Sequence, residues 1–147
     1  LDLGTGAAPQ ELIPRPGVTG IAFSPDGTRA AMSADTSWAL YRLGRRQSVL
    51  ERPAGKGAAS AVAWGGDGRH VATACADGQV KLWNPDTGKE VRALAGGSGA
   101  ALCLAFSPDG KRLAGGFQPQ AGPPGEGPGL LVVWDVNSGK PLLKVQE

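Results

Sequence analysis

Three aspartates, Asp26, Asp67 and Asp109, recur 41 and 42 residues apart. Paired carboxylates can act as general acid and base, and an imidazole or a thiolate can serve as base or nucleophile. Each needs a partner within hydrogen-bond reach. The chain has a single histidine, His70, which starts an apolar run beside a turn, and two cysteines, Cys75 and Cys103, inside apolar runs. One histidine and two distant cysteines fall short of a zinc ligand set, and the cysteines read as small reduced core residues. Glycines follow a turn rhythm and precede no helical pattern, so a phosphate cradle is not indicated. Every one of the three aspartates precedes a glycine, and that fixed place reads as a turn. The expectation is no catalytic residue, no metal or cofactor-binding residue and no cofactor: the chain is not an enzyme.

The elements around those aspartates repeat with them. Ile21–Ala34 reads IAFSPDGTRAAMSA, Val62–Cys75 reads VAWGGDGRHVATAC and Leu104–Phe117 reads LAFSPDGKRLAGGF. Self-similarity at this period marks a repeat architecture, in which each unit needs its neighbours to bury a core. Two apolar runs flank each Asp-Gly, the pattern of a β-hairpin. In Ser24-Pro25-Asp26-Gly27 and Ser107-Pro108-Asp109-Gly110, Pro presets one φ and Gly accepts a positive one. Strand alternation puts Ile21 and Phe23 on one side and Ala22 on the other, and Val62, Trp64 and Leu104, Phe106 repeat the arrangement. Such a sheet is packed on both sides.

A third run follows in Trp38–Tyr41, Val80–Trp83 and Leu131–Trp134, then a turn such as Asn84-Pro85-Asp86-Thr87-Gly88-Lys89, then a more polar fourth run in Arg46–Arg52, Lys89–Ala95 and Lys140–Gln146. Each period is therefore four short strands, a to d, and the fold class is all-β. Gln10–Pro14 reads as a fourth run whose first three are missing. The expected organisation is the end of a preceding unit over 1–16, then units over 17–53, 54–96 and 97–147, the last carrying an insertion over 118–129.

The phrases FSPDG and LAGG, a strand ending in LW or VW, and the D-x-x-[ST]-G-K turn resemble WD-repeat β-propellers along nearly the whole chain. The resemblance implies four-stranded antiparallel blades around a channel: three complete ones plus an N-terminal strand of a preceding blade. The copies diverge from the family. Its Gly-His pair is absent, with Ala54-Gly55 and Gly96-Gly97 near its place, and Trp-Asp has become Trp83-Asn84 and Tyr41-Arg42. The buried His–Asp–Ser/Thr–Trp network of the family cannot form in full, and Trp83 and Asp77 are expected to keep part of it. Three blades are too few for a ring of about 4–8, and one strand is left over. The chain reads as a fragment of a longer propeller, with an oligomer completing the ring as the alternative. Open end blades expose sheet edges and apolar faces that favour self-association.

A formal net charge of +2 is too small to argue for nucleic acid or an anionic membrane, and no apolar span approaches about 18 residues. Richness in Gly, Ala, Arg and Pro points to a high-GC bacterial genome, and the expected compartment is the cytoplasm. The period breaks once: Cys75 and Trp83 are 8 residues apart, whereas Phe117 and Trp134 are 17 apart. The extra residues are Pro- and Gly-rich, and insertions in repeat proteins map to loops on one face, often the binding face. A tolerated surface insertion without a role is the alternative. Trp38, beside the b–c turn of its unit, is either an exposed aromatic anchor or packing between blades. The basic group Arg42, Arg45, Arg46 and Arg52 reads as a solvated outer strand. The candidate contact residues are Trp38, Lys56, Gln118, Gln120 and Glu126. The resemblance implies a non-catalytic scaffold for a protein or peptide partner, recognised through loops on one face. Alternatives are a piece of a quinoprotein-like enzyme, whose repeats also resemble Asp86-Thr87-Gly88-Lys89, and a regulatory propeller attached to a catalytic domain.

Overall fold

A computed structural model describes residues 17–44, 48–95, 97–118 and 127–146. Every regular element among them is a strand, and among the described residues no helix is long and apolar enough to cross a membrane. Blade 1 is β1 (Val18–Phe23), β2 (Arg29–Ala34), β3 (Ser37–Arg42) and β4 (Ser48–Pro53). Blade 2 is β5 (Ala59–Trp64), β6 (Val71–Cys75), β7 (Val80–Trp83) and β8 (Glu90–Leu94). Blade 3 is β9 (Ala101–Phe106), β10 (Arg112–Phe117), β11 (Leu130–Asp135) and β12 (Pro141–Gln146). Each blade is a four-stranded antiparallel sheet in sequence order. The strand expected over Gln10–Pro14 lies outside the described residues.

The Asp-Gly turns close the first hairpins as their composition requires. Gly27, Gly68 and Gly110 each donate their N–H to the carbonyl three residues back at 2.9 Å. Alternation then sends each sheet's side chains both ways. On β6, Val71 and Cys75 join Trp64, Trp38 and Leu40 in the core between blades 1 and 2, while Ala72 and Ala74 join Leu113, Trp134 and Val132 in the core between blades 2 and 3. Blade 2 is thus covered on both sides. The same alternation leaves Ile21 and Phe23 exposed, because the described residues place no sheet on the side of β1 that faces away from blade 2. Two-sided packing holds for Val62 and Trp64 and fails at this end.

The c-strand aromatic is held differently in each blade. Trp83 donates its indole N–H to the buried Thr73 Oγ1 at 2.9 Å. Trp134 donates instead to the Ala95 carbonyl of the neighbouring blade at 2.7 Å, and a Cβ on Gly115 would come within 2.9 Å of its ring. Tyr41 packs with Met32 and Ala39. Trp83 therefore keeps its hydroxyl partner, as expected. Asp77 is used elsewhere: its carboxylate accepts the backbone N–H groups of Gln79 at 3.0 Å and Lys56 at 3.2 Å. A backbone donor on the d–a segment reaches the b–c turn where the family would use histidine.

A second inter-blade tie recurs on the innermost strands. β1 and β5 each carry a bulge, between Val18 and Gly20 and between Ala59 and Ala61. The bulged residue turns a hydroxyl toward the next blade. Thr19 Oγ1 donates to the Ala59 carbonyl at 2.6 Å, and Ser60 Oγ donates to the Ala101 carbonyl. In β9 the equivalent bulged residue is Leu102, which has no hydroxyl.

Two stability outcomes follow from this packing. Thr73→Val leaves the buried Trp83 N–H without its acceptor and should destabilise by about 1–3 kcal/mol in denaturant unfolding, whereas Thr73→Ser should recover most of the loss; equal losses would contradict the role of the bond. Gly27 and Gly88 both have φ of +68°, but a Cβ at Gly27 meets nothing within 4 Å, whereas one at Gly88 would run into Leu50 Cδ1 of blade 1. Gly27→Ala should cost about 1–2 kcal/mol from the left-handed backbone alone, and Gly88→Ala about 1–3 kcal/mol more from overpacking between blades. Equal melting shifts for the two would show that the turn does not press on its neighbour.

Candidate interaction surface

The carboxylates that first drew attention are occupied by their own turns. Asp26 Oδ1 accepts from Ser24 Oγ at 2.6 Å and from Thr28 N–H at 3.0 Å, and Asp109 Oδ1 accepts from Ser107 Oγ at 2.6 Å and Lys111 N–H at 3.0 Å. Asp67 accepts the Arg69 N–H at 3.0 Å. The Ser24 hydroxyl, with the Thr28 donors, lowers Asp26 to about 2. Ser107 lowers Asp109, and the Ser138 backbone N–H lowers Asp135. Depressed carboxylates stabilise their turns above the ordinary carboxylate range and lose that contribution as pH falls through the lowered values. Near pH 7 they are ionised and weakly basic, a poor match for general-base work.

The other reactive groups are similarly placed. Burial lowers His70, against an opposing pull from Asp67, so the imidazole is neutral near pH 7. Burial pushes Cys75 up to about 11, which keeps it a thiol. Cys103 is exposed on β9. Among the described residues no group of three or more His, Cys, Asp or Glu could hold a metal ion.

The b–c turns and the d–a segments lie on one face and are stitched together by backbone hydrogen bonds. Ala54 donates to Thr36, Ala76 to Ala58 and Gln118 to Ala100, at 2.8–2.9 Å. Asp77 and Lys56 add the carboxylate contact given above. Asp35, Thr36, Lys56 and Asp77 are exposed along this edge, and Gln118 is half-buried at its blade 3 end. Lys56 and Gln118 thus share the loop face. Gln120 and Glu126, with the rest of 119–126, lie outside the described residues.

Trp38 does not belong to that surface. It is fully buried, with its ring centroid 5.5 Å from that of Trp83 across the boundary between blades 1 and 2. The alternation of β3 turns it, with Leu40, toward blade 2, so it is packing rather than an exposed anchor. Arg42 and Arg52 are exposed, in keeping with a solvated outer strand; Arg45 and Arg46 lie outside the described residues.

The opposite face carries the a–b and c–d turns. There Arg29 of blade 1 pairs with Asp86 of blade 2 at 2.8 Å and lies 5.0 Å from the Trp64 ring centroid. Neither this contact nor the Thr19 and Ser60 ties were read from the sequence. The 41-residue spacing of Thr19 and Ser60 was available, but the third copy, Leu102, breaks the pattern.

Comparison with known proteins agrees with this architecture. Residues 29–109 match the family model of the anaphase-promoting complex subunit 4 WD40 domain. WD repeat-containing protein 82 of Drosophila melanogaster is 31% identical over 103 residues, which is 65% of this chain and 32% of that protein. Among solved structures, Kuenenia stuttgartiensis hydrazine synthase superposes over 88% of this chain and 37% of its own with a TM-score of 0.78 at 19% identity, a likeness of fold alone. The chain spans about a third of the length of these relatives. The family model covers more than half of the residues: the chain belongs to the WD40-repeat family.

Proposed function

We propose that this chain is a non-catalytic scaffold that recognises a protein or peptide partner through its b–c and d–a loop face. The observation that carries the reading is the stitching of the two loop sets by Ala54, Ala76 and Gln118 backbone N–H groups. It gives a tied backbone edge that carries Lys56, Asp77 and Gln118, so a partner meets loops that are already ordered and little backbone ordering entropy is lost on binding. The charges along the edge are mixed, with Asp35 and Asp77 beside Lys56, which suits a polar peptide better than a polyanion. The matching family model comes from a subunit of a multiprotein complex, which supports an interaction role. The turn carboxylates and the buried thiol are committed to the fold, which supports the absence of catalysis.

Three baits test the reading by affinity capture and quantitative mass spectrometry: the chain with Lys56→Glu and Gln118→Ala, the chain lacking residues 118–129, and a control with Lys111→Glu on the opposite face. The expected result is at least about tenfold loss of specific partners with one or both loop-face baits and no loss with the control. Identical partner sets for all baits would overturn the assignment of the loop face.

A further inference from the structure

We propose that the junction between blades 2 and 3 is acid-sensitive: a proton on His70 loosens it in mildly acidic solution, while the junction between blades 1 and 2 holds. This device does not rest on the loop-face reading above. Arg29 and His70 hold the same place in their blades. The carbonyl of each accepts the N–H at the head of its a–b turn, from Ser24 or Gly65, at 2.9 Å. The residue after each pairs with the c-strand aromatic, Ala30 with Tyr41 and Val71 with Trp83.

Strand alternation aims both side chains at the next blade. Ala31 lies in the core shared with blade 2, and Arg29, two residues earlier, reaches Asp86 and Trp64 of that blade. Ala72 lies in the core shared with blade 3, so His70, two residues earlier, is turned toward blade 3. Arg92 reaches the same side, two residues before Leu94 of that core, and the Gly139 turn of blade 3 lies against it.

The two junctions differ in countercharge. Three residues after the c-strand tryptophan stands Asp86 in blade 2 and Asn137 in blade 3. The turn place that gives Arg29 a carboxylate therefore carries an uncharged amide in the blade facing His70. His70 Nδ1 and Arg92 Nε are both buried without a hydrogen-bond partner among the described residues. The charges acting on the ring are Asp67, Arg69 and Arg92. On the facing blade, Asp109 and Asp135 accept N–H groups of their own turns, and Lys111 and Lys140 are exposed. Arg112 points away, because Leu113 beside it fills the shared core. Within blade 2, Lys81 and Glu90 pair with each other at 3.0 Å.

A proton on the ring thus adds a cation to the field of two arginines, with Asp67 alone opposing them among the described residues. Burial acts against the charged ring as well and is the larger influence. Unfolding frees the ring to take a proton at the ordinary value of about 6.5. The folded form then holds fewer protons than the unfolded one, and stability is lost as pH falls below that value. The first junction has a guanidinium in this place, which carries its charge throughout the range.

NMR on the 147-residue chain tests this, because His70 is its single histidine. The imidazole is titrated, and amide protection factors are read for the interior strands β10 and β2 at about pH 7.5 and about pH 5.5. The variants are His70→Gln and Asn137→Asp. His70 should titrate below about 6.5. Acidification should lower protection in β10 at least about threefold more than in β2, and His70→Gln should abolish that difference. Asn137 is exposed, and Asn137→Asp gives its turn the aspartate that blade 2 already carries. That variant should raise the His70 midpoint and shrink the difference. A parent midpoint at or above about 6.5 overturns the inference. So do equal changes in β2 and β10, a difference that survives His70→Gln, or an Asn137→Asp variant that titrates and exchanges like the parent.

Discussion

Everything in this fold depends on a sheet that is apolar on both sides having a neighbour on both sides. Four strands cannot bury two apolar faces within themselves, and an isolated blade would leave Val71, Trp64 and Leu82 in water. Burying one such side chain is worth about 1.5–3 kcal/mol. The Arg29–Asp86 pair, with Asp86 74% exposed, belongs to a class worth about 0–1 kcal/mol. The shared cores between blades therefore outweigh the polar contacts that decorate them. The polar contacts serve geometry: the Thr19 and Ser60 hydroxyls fix how closely the inner strands approach, and the turn glycine at Gly88 lets a c–d turn lie flat on the neighbouring strand.

That constraint also decides which residues are free to act. Asp26 and Asp109 spend their oxygens on their own turns, Asp77 ties two loops, and Cys75 is sealed between blades. What remains at the surface is a stitched loop edge and two open apolar sides. The scaffold reading uses the first.

Much of this was legible in the sequence. The Asp-Gly spacing located the hairpins, and period-two alternation placed Val62, Trp64 and Trp83 in a core, because turn chemistry and strand alternation are local. Trp38 was ambiguous for a physical reason. A residue next to a turn can point outward or across a blade boundary, and only the register of β3 sends it inward. Ile21 and Phe23 carry the same letters as their buried equivalents, but their cover belongs to a neighbour that one repeat cannot specify. The Asp77 contact with Lys56 uses a backbone N–H, which leaves no trace in residue type. The Thr19 and Ser60 ties depend on bulges, which shift register by one residue and have no compositional mark.

The central claim is that each blade draws its stability from its neighbours. Native-state hydrogen exchange on the 147-residue chain tests it most directly. Nearest-neighbour coupling predicts that the amides of β6 and β7, in the blade covered on both sides, exchange slowest and only through opening of the whole chain, with those of β1 and β12 exchanging faster. Equal protection in all three blades, with Trp64→Ala lowering protection in blade 2 alone, would contradict the account.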